Sequence, residues 1–179
     1  MGGTSVVKYW IGIDIGSQEV GVACVEAEHR AMRLLRCEPL KLRRTSLEER
    51  MQSLYAWLAE LFRSYEGKVS QVALEEPFVG KNIRSALLLG TIKGLVWGTL
   101  LSQGYPSPLL ISPAQVKKAI TGNPYASKEQ VARMLSHHLG GDVVLPDSEH
   151  ATDALAIALT AYYYQNSPIS RTFSKRAER

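Results

Sequence analysis

An α/β fold, with a five-stranded mixed sheet and helices over its faces, follows from three features of the sequence. Three strand patterns crowd into the first forty residues, separated only by tight turns. Helix-period and strand-period segments then alternate, and the chain closes with a run of helices. No internal repeat or linker interrupts this order, so 179 residues are expected to form one domain over 1–166 with a flexible basic tail over 167–179.

Lys8 to Ile15 carries the first strand, ending in W-I-G-I-D-I-G. A short turn at Gln18 and Glu19 leads into V-G-V-A-C-V-E-A, and residues 30–38 form a third strand, giving an antiparallel meander. Thr45 or Ser46 opens a helix with Glu48 and Glu49 in its first turn, where the helix dipole favours acids. Met51, Leu54, Leu58, Leu61 and Phe62 recur at helical spacing until Gly67 ends it. Val69, Val72 and Leu74 mark a fourth strand that Pro77 stops. Residues 82–102 read as a helix apolar on more than one side, with Gly90, Gly94 and Gly98 on one stripe. Such a helix is deeply buried or lies in a subunit interface, and the stripe implies close packing.

Residues 106–111 give a short fifth strand. Ser112-Pro113 then starts a helix as N-cap and first-turn proline. A loop at 122–126 follows, then a helix over 127–139 with Ser127 and Gln130 spaced as a capping box. A loop over 140–148 precedes the last helix, 149–164.

Composition narrows the function classes. Hydrophobic residues make up 45%, an ordinary globular value, and 21 Lys and Arg against 17 Asp and Glu leave a formal charge of +4. That excess permits a polyanionic partner without requiring one. Cys24 and Cys37 form neither a disulfide framework nor a zinc cluster. With no signal-peptide pattern and no run approaching a membrane span, the expectation is a cytoplasmic protein with reduced, packed thiols and no membrane partner.

The informative residues are carboxylates in apolar surroundings. Asp14 lies in the first strand between Gly12 and Gly16, which leave room for close backbone approach, and Glu75 ends the fourth strand. If those strands are neighbours, both acids emerge at one sheet edge, where open α/β sheets bind ligands. In S-E-H-A-T-D-A-L-A-I-A-L, His150 and Asp153 stand i and i+3 on one helix face, and Glu149 and Asp153 i and i+4. Taken singly, each acid also reads as a strand-end turn residue or a helix-dipole partner. Together they suggest oxygen ligands for hard divalent cations, with two ions about 4 Å apart the usual arrangement for phosphodiester cleavage. His150 would be an unusual fourth ligand or a proton acceptor near the attacking water.

These segments, G-I-D-I-G at 12–16, A-L-E-E-P-F at 73–78, Q-V-K-K-A-I-T-G at 115–122, S-K-E-Q-V at 127–131 and H-A-T-D-A-L-A-I-A-L at 150–159, together resemble the bacterial RuvC family of Holliday junction resolvases. The resemblance runs from about residue 8 to 165, in order. It implies a ribonuclease H-like fold and a homodimer. It also implies Mg²⁺ or Mn²⁺, two ions per subunit, used to make paired symmetric nicks across a four-way DNA junction in recombination and repair, leaving ligatable ends. A branch-migration helicase is an implied partner.

Carried over by position, Asp14, Glu75 and Asp153 match three catalytic acids and metal ligands of the family, and His150 falls on the fourth, where many members have Asp. Phe78 matches an aromatic that stacks at the junction centre, and Lys117 and Lys128 match basic residues near the cleaved phosphate. Ile15 stands where the family usually has Pro. The residues themselves agree with this. Lys117, Lys118 and Lys128 flank the 122–126 loop beside the expected acid cluster, and Lys81 and Arg84 at the next helix start suit backbone phosphate. Arg43, Arg44 and the tail's Arg171, Lys175, Arg176 and Arg179 would add salt-sensitive attraction. Two other functions compete: a ribonuclease H-like nuclease acting on RNA-containing substrates, and a junction-binding protein that does not cleave.

Overall fold

The alternating segments pair as their pattern requires. In a computed structural model, which describes residues 7–28, 31–42, 46–76, 82–141 and 143–166, β1 (Lys8–Ile15), β2 (Glu19–Glu28) and β3 (Ala31–Lys41) form an antiparallel meander. After α1 (Leu47–Ser64), β4 (Val69–Glu75) joins β1 in parallel. After α2 (Ile83–Ser102), β5 (Leu109–Ile111) joins β4 in parallel. The sheet order is β3-β2-β1-β4-β5, the mixed five-stranded sheet expected. Three helices complete the chain: α3 (Pro113–Thr121), α4 (Lys128–His138) and α5 (Glu149–Asn166).

Helix starts follow local chemistry. Ser46 with Glu49, Ser112 with Gln115 and Ser127 with Gln130 each close a capping box, satisfying amides that would otherwise lack partners. Two strands differ from expectation. β3 runs to Lys41 rather than residue 38, because an edge strand tolerates Pro39, whose missing N–H breaks no interior ladder. β5 begins at Leu109 rather than 106, since Pro106 and Pro108 have no amide to offer β4.

Each sheet face has its own core. Trp10, Ala23, Val25 and Ala73 pack against α5, with α3 and α4 outside it. Ile11, Ile13, Val22, Val72 and Leu74 pack under α1 and α2 with Leu58, Phe62, Ile92 and Val96. Strand alternation thus sends Gly12, Asp14 and Glu75 to the α5 face. Cys24 is buried and Cys37 half-buried, its thiol donating to the Ala151 carbonyl at 3.3 Å; burial pushes both thiols up to about 12.

α2 departs from the deep burial its composition suggests. Ile92, Val96, Thr99 and Leu100 are buried, but Ile83, Leu87 and Leu101 are 74%, 67% and 53% exposed. A Cβ built on Gly90, Gly94 or Gly98 would meet nothing within 4 Å, so the glycine stripe packs against no described part of this chain. By length and composition alone α2 could also cross a membrane, although Arg84 and Lys93 break its apolar run. Here it lies on the sheet, its Lys93 amine donating to the Glu75 carbonyl at 2.8 Å.

Candidate functional site

Three elements deliver the acids to one edge. The β1–β4 register sets Gly12 beside Ala73 and Ile13 beside Leu74, so the next residues, Asp14 and Glu75, follow abreast at the C-terminal ends of adjacent parallel strands, one residue before the end of β1 and at the end of β4. α5 crosses the same face with its first turn over them, and glycines decide how close it comes. A Cβ at Gly12 would lie 2.0 Å from the Ala154 carbonyl oxygen, and one at Gly21 2.0 Å from that of His150. At Gly16 a Cβ would lie 2.4 Å from His150 Nε2. These are contacts that no side chain tolerates, so Gly12, Gly16 and Gly21 are the seat of the helix start.

In that seat His150 Nδ1 lies 2.5 Å from Asp14 Oδ2. The carboxylate can only accept, so Nδ1 carries the proton and Nε2 faces Gly16. The bond to Asp14 raises the His150 pKa above its ordinary 6.5, outweighing burial. Ser148 donates to Glu19 across the same corner, tying the approach to α5 to the start of β2.

The remaining acids are held by lysines. Lys128, first residue of α4, donates to Asp153 Oδ2 at 3.0 Å and to Glu149 Oε2 at 3.1 Å. Burial alone would lower the Lys128 pKa, but the two carboxylates raise it overall. Burial pushes Asp153 up despite Lys128. The Glu75 carboxyl is driven to about 7, first by burial and then by the negative charges of Asp14 and Asp153, with Lys128 and Lys93 pulling the other way.

Asp14, Glu75 and Asp153 are therefore close enough to repel, and the chain spends His150 and Lys128 on balancing them. They do not form a ready ligand shell: among the described residues no three His, Cys, Asp or Glu side chains gather around one point. Like charges spread apart and turn to the nearest cationic groups. The donor chemistry nonetheless suits a hard cation. The three carboxylates share one sheet edge, where burial and then the charges of Asp14 and Asp153 favour a protonated Glu75, and a divalent ion would supply the positive charge that opposes this.

Of the expected basic residues, Lys128 reaches this edge. Lys117 and Lys118 lie on α3, and Arg84 is exposed in the first turn of α2; none of these three side chains bonds to the acids among the described residues. Phe78 and Lys81 lie outside the described residues, as do Arg43, Arg44 and the tail. Lys93 is the participant that sequence patterning missed. Burial lowers its pKa, and its amine is bonded to the backbone of Glu75. The signal was present, since Lys93 is the one charge in α2 beyond Arg84. Gly21 was missed too, because a glycine within a strand does not announce what crosses it.

Comparison with known proteins bears on the same residues. A family model described as crossover junction endodeoxyribonuclease RuvC matches residues 10–161. The crossover junction endodeoxyribonuclease RuvC of Chlorobaculum parvum is 37% identical over 149 residues, covering 83% of this chain and 78% of that protein. That of Porphyromonas gingivalis is 31% identical over 169 residues, covering 90% and 85%. The Thermus thermophilus RuvC structure in complex with Holliday junction substrate superposes with a TM-score of 0.80 at 32% identity, over 88% of this chain and 94% of that one.

Proposed function

The chain belongs to the RuvC family of crossover junction endodeoxyribonucleases, and we propose from the carboxylate edge how it resolves four-way DNA junctions. The observation that carries the mechanism is the meeting of Asp14, Glu75 and Asp153, from β1, β4 and α5, with the amine of Lys128.

Asp14, Glu75 and Asp153 would hold divalent cations, Mg²⁺ or Mn²⁺, two per subunit. When bound, these supply Lewis-acid charge to the attacking water and to the leaving oxygen. Lys128 takes the phosphate. Its present partners are Asp153 and Glu149, and a DNA phosphate competes for the same amine, releasing Asp153 to its ligand role as substrate arrives. His150 receives the proton. With Nδ1–H directed at Asp14, the lone pair of the neutral ring is on Nε2, and Asp14 steadies the imidazolium formed when Nε2 takes a proton from water. The water oxygen forms a bond to phosphorus as the phosphorus–oxygen bond to the leaving nucleotide breaks.

Paired nicks need two such sites facing a near two-fold substrate, which a homodimer supplies. The exposed apolar face of α2, with Leu87, Leu101 and the open glycine stripe, supports α2 as the isologous contact. Phe78, Lys81, Arg84, Lys117 and Lys118 are proposed DNA contacts, and a branch-migration helicase a proposed partner.

Asp14→Asn or Glu75→Gln should lower nicking of a synthetic four-way junction by at least about a thousandfold while junction affinity in a gel-shift assay changes little. Loss of binding and of the folded state in both variants would assign the acids a structural role instead. Nicking of an RNA–DNA hybrid in preference to the junction would favour the ribonuclease reading.

A further inference from the structure

The connection between α3 and α4 displays an aromatic ring, Tyr125, three residues before Lys128, and the cleavage chemistry does not use it. Gly122 turns the chain left-handed at φ 78°. The Asn123 amide donates to Thr121 Oγ1 at 3.1 Å, and the Tyr125 amide to Asn123 Oδ1 at 3.0 Å. The Ala126 amide donates to the Asn123 carbonyl at 3.2 Å, and Ala126 itself is buried. Pro124 narrows the backbone further. A loop braced this way holds the backbone that carries its side chains, and Tyr125 is 90% exposed on it.

A lone exposed aromatic is ordinary on a protein surface. Position sets this one apart. Lys128, three residues on, reaches Asp153 and Glu149. Three residues span at most about 11 Å between Cα atoms, roughly the length of three nucleotides at about 3.4 Å each. A DNA strand with a phosphate at Lys128 that runs toward the 122–126 loop would bring a base within reach of the Tyr125 ring.

We propose that Tyr125 is a stacking platform for a nucleotide of the bound strand, close to the phosphate that Lys128 holds; this rests on the cleavage role given above to the carboxylate edge. The ring offers a flat face to any base, so the contact is tolerant of sequence. The bracing of its loop is in place before DNA arrives, so little ordering is lost on binding. Tyr125 is a binding residue that adds affinity and touches no reacting atom.

The test uses the full chain, a synthetic four-way junction, and the variants Tyr125→Phe and Tyr125→Ala. Phe keeps the ring and should bind within about twofold of wild type, whereas Ala should weaken binding about tenfold. The single-turnover nicking rate of bound junction should stay within about twofold in both, as expected for a contact made equally in ground and transition states. In the wild-type chain, 5-iodouracil beside the nicked phosphate should photocrosslink to Tyr125, and 5-iodouracil in a distant arm should not. Unchanged affinity in the Ala variant, an equal loss in the Phe variant, or a crosslink mapping elsewhere would overturn the proposal. If the Ala variant melts below wild type, the crosslink decides. A wild-type chain that binds junctions without nicking them would count against the cleavage role, leaving the platform to be judged by the same crosslink.

Discussion

At Gly12 a methyl group would sit 2.0 Å from the Ala154 oxygen and 2.5 Å from the Ala158 nitrogen, both backbone atoms with nowhere to yield. Gly12→Ala must therefore lift α5 from β1, and with it carry His150 away from Asp14. The expected cost is about 3 kcal/mol, a drop of roughly 6–12 °C in melting midpoint for a chain of this size. Nicking should fall further than the folded fraction does, because the acids separate even in folded molecules. Calorimetry alongside a junction assay checks this; a variant with wild-type midpoint and activity would show that the seat is not tight. Asp14 itself stood out in the sequence as a carboxylate in an apolar strand. Its bond to His150 did not, since the two residues are 136 positions apart and only the glycine seat brings them together.

α2 shows the same division at the level of an element. Its existence and length were plain from apolar content and Ser102 as the last helical residue. Which side would be covered was not, because a helix apolar nearly all round has no periodic preference to read. The sheet covers Ile92, Val96 and Leu100 and leaves Leu87 and the glycine stripe outside. If that outer face joins two copies, Leu87→Glu places like charges opposite each other across the two-fold axis. Sedimentation should then report a monomer at concentrations where wild type is a dimer, with paired nicking lost and the melting midpoint of the isolated fold little changed. A variant that stays dimeric would put the contact elsewhere.

For the whole molecule, the acid cluster makes stability depend on pH in an unusual direction. Glu75 has a folded pKa raised from 4.5 to about 7, and Asp153 is raised as well, so the folded chain binds protons that the unfolded chain releases. His150 is also raised, and its stabilising contribution is full below its ordinary 6.5 and lost as pH climbs through the folded value. All three have the same sign: the His150 share is gained as pH falls to 6.5, and the share of Glu75 and Asp153 continues to grow as pH falls from about 7 toward about 5. The metal-free protein should show a melting midpoint that rises over that interval. Saturating Mg²⁺ should flatten or reverse the slope, because cation binding needs the ionised carboxylates. A midpoint that falls steadily on acidification without metal would contradict the raised values.

The fold class, the order of elements, the helix starts with the capping box at Ser127 and Gln130, and the separate acids were all legible in the sequence, because each depends on residues within a turn or a strand of one another. Alternation placed Asp14 and Glu75 at strand ends, and helical spacing put His150 and Asp153 on one face. The tertiary structure alone decided that β4 lies beside β1, that Gly21 clears the path of α5, and that Lys93 and Lys128 offset the acids. Those are contacts between segments distant in the chain, set by strand order and by how closely backbones can approach, and no local periodicity encodes either.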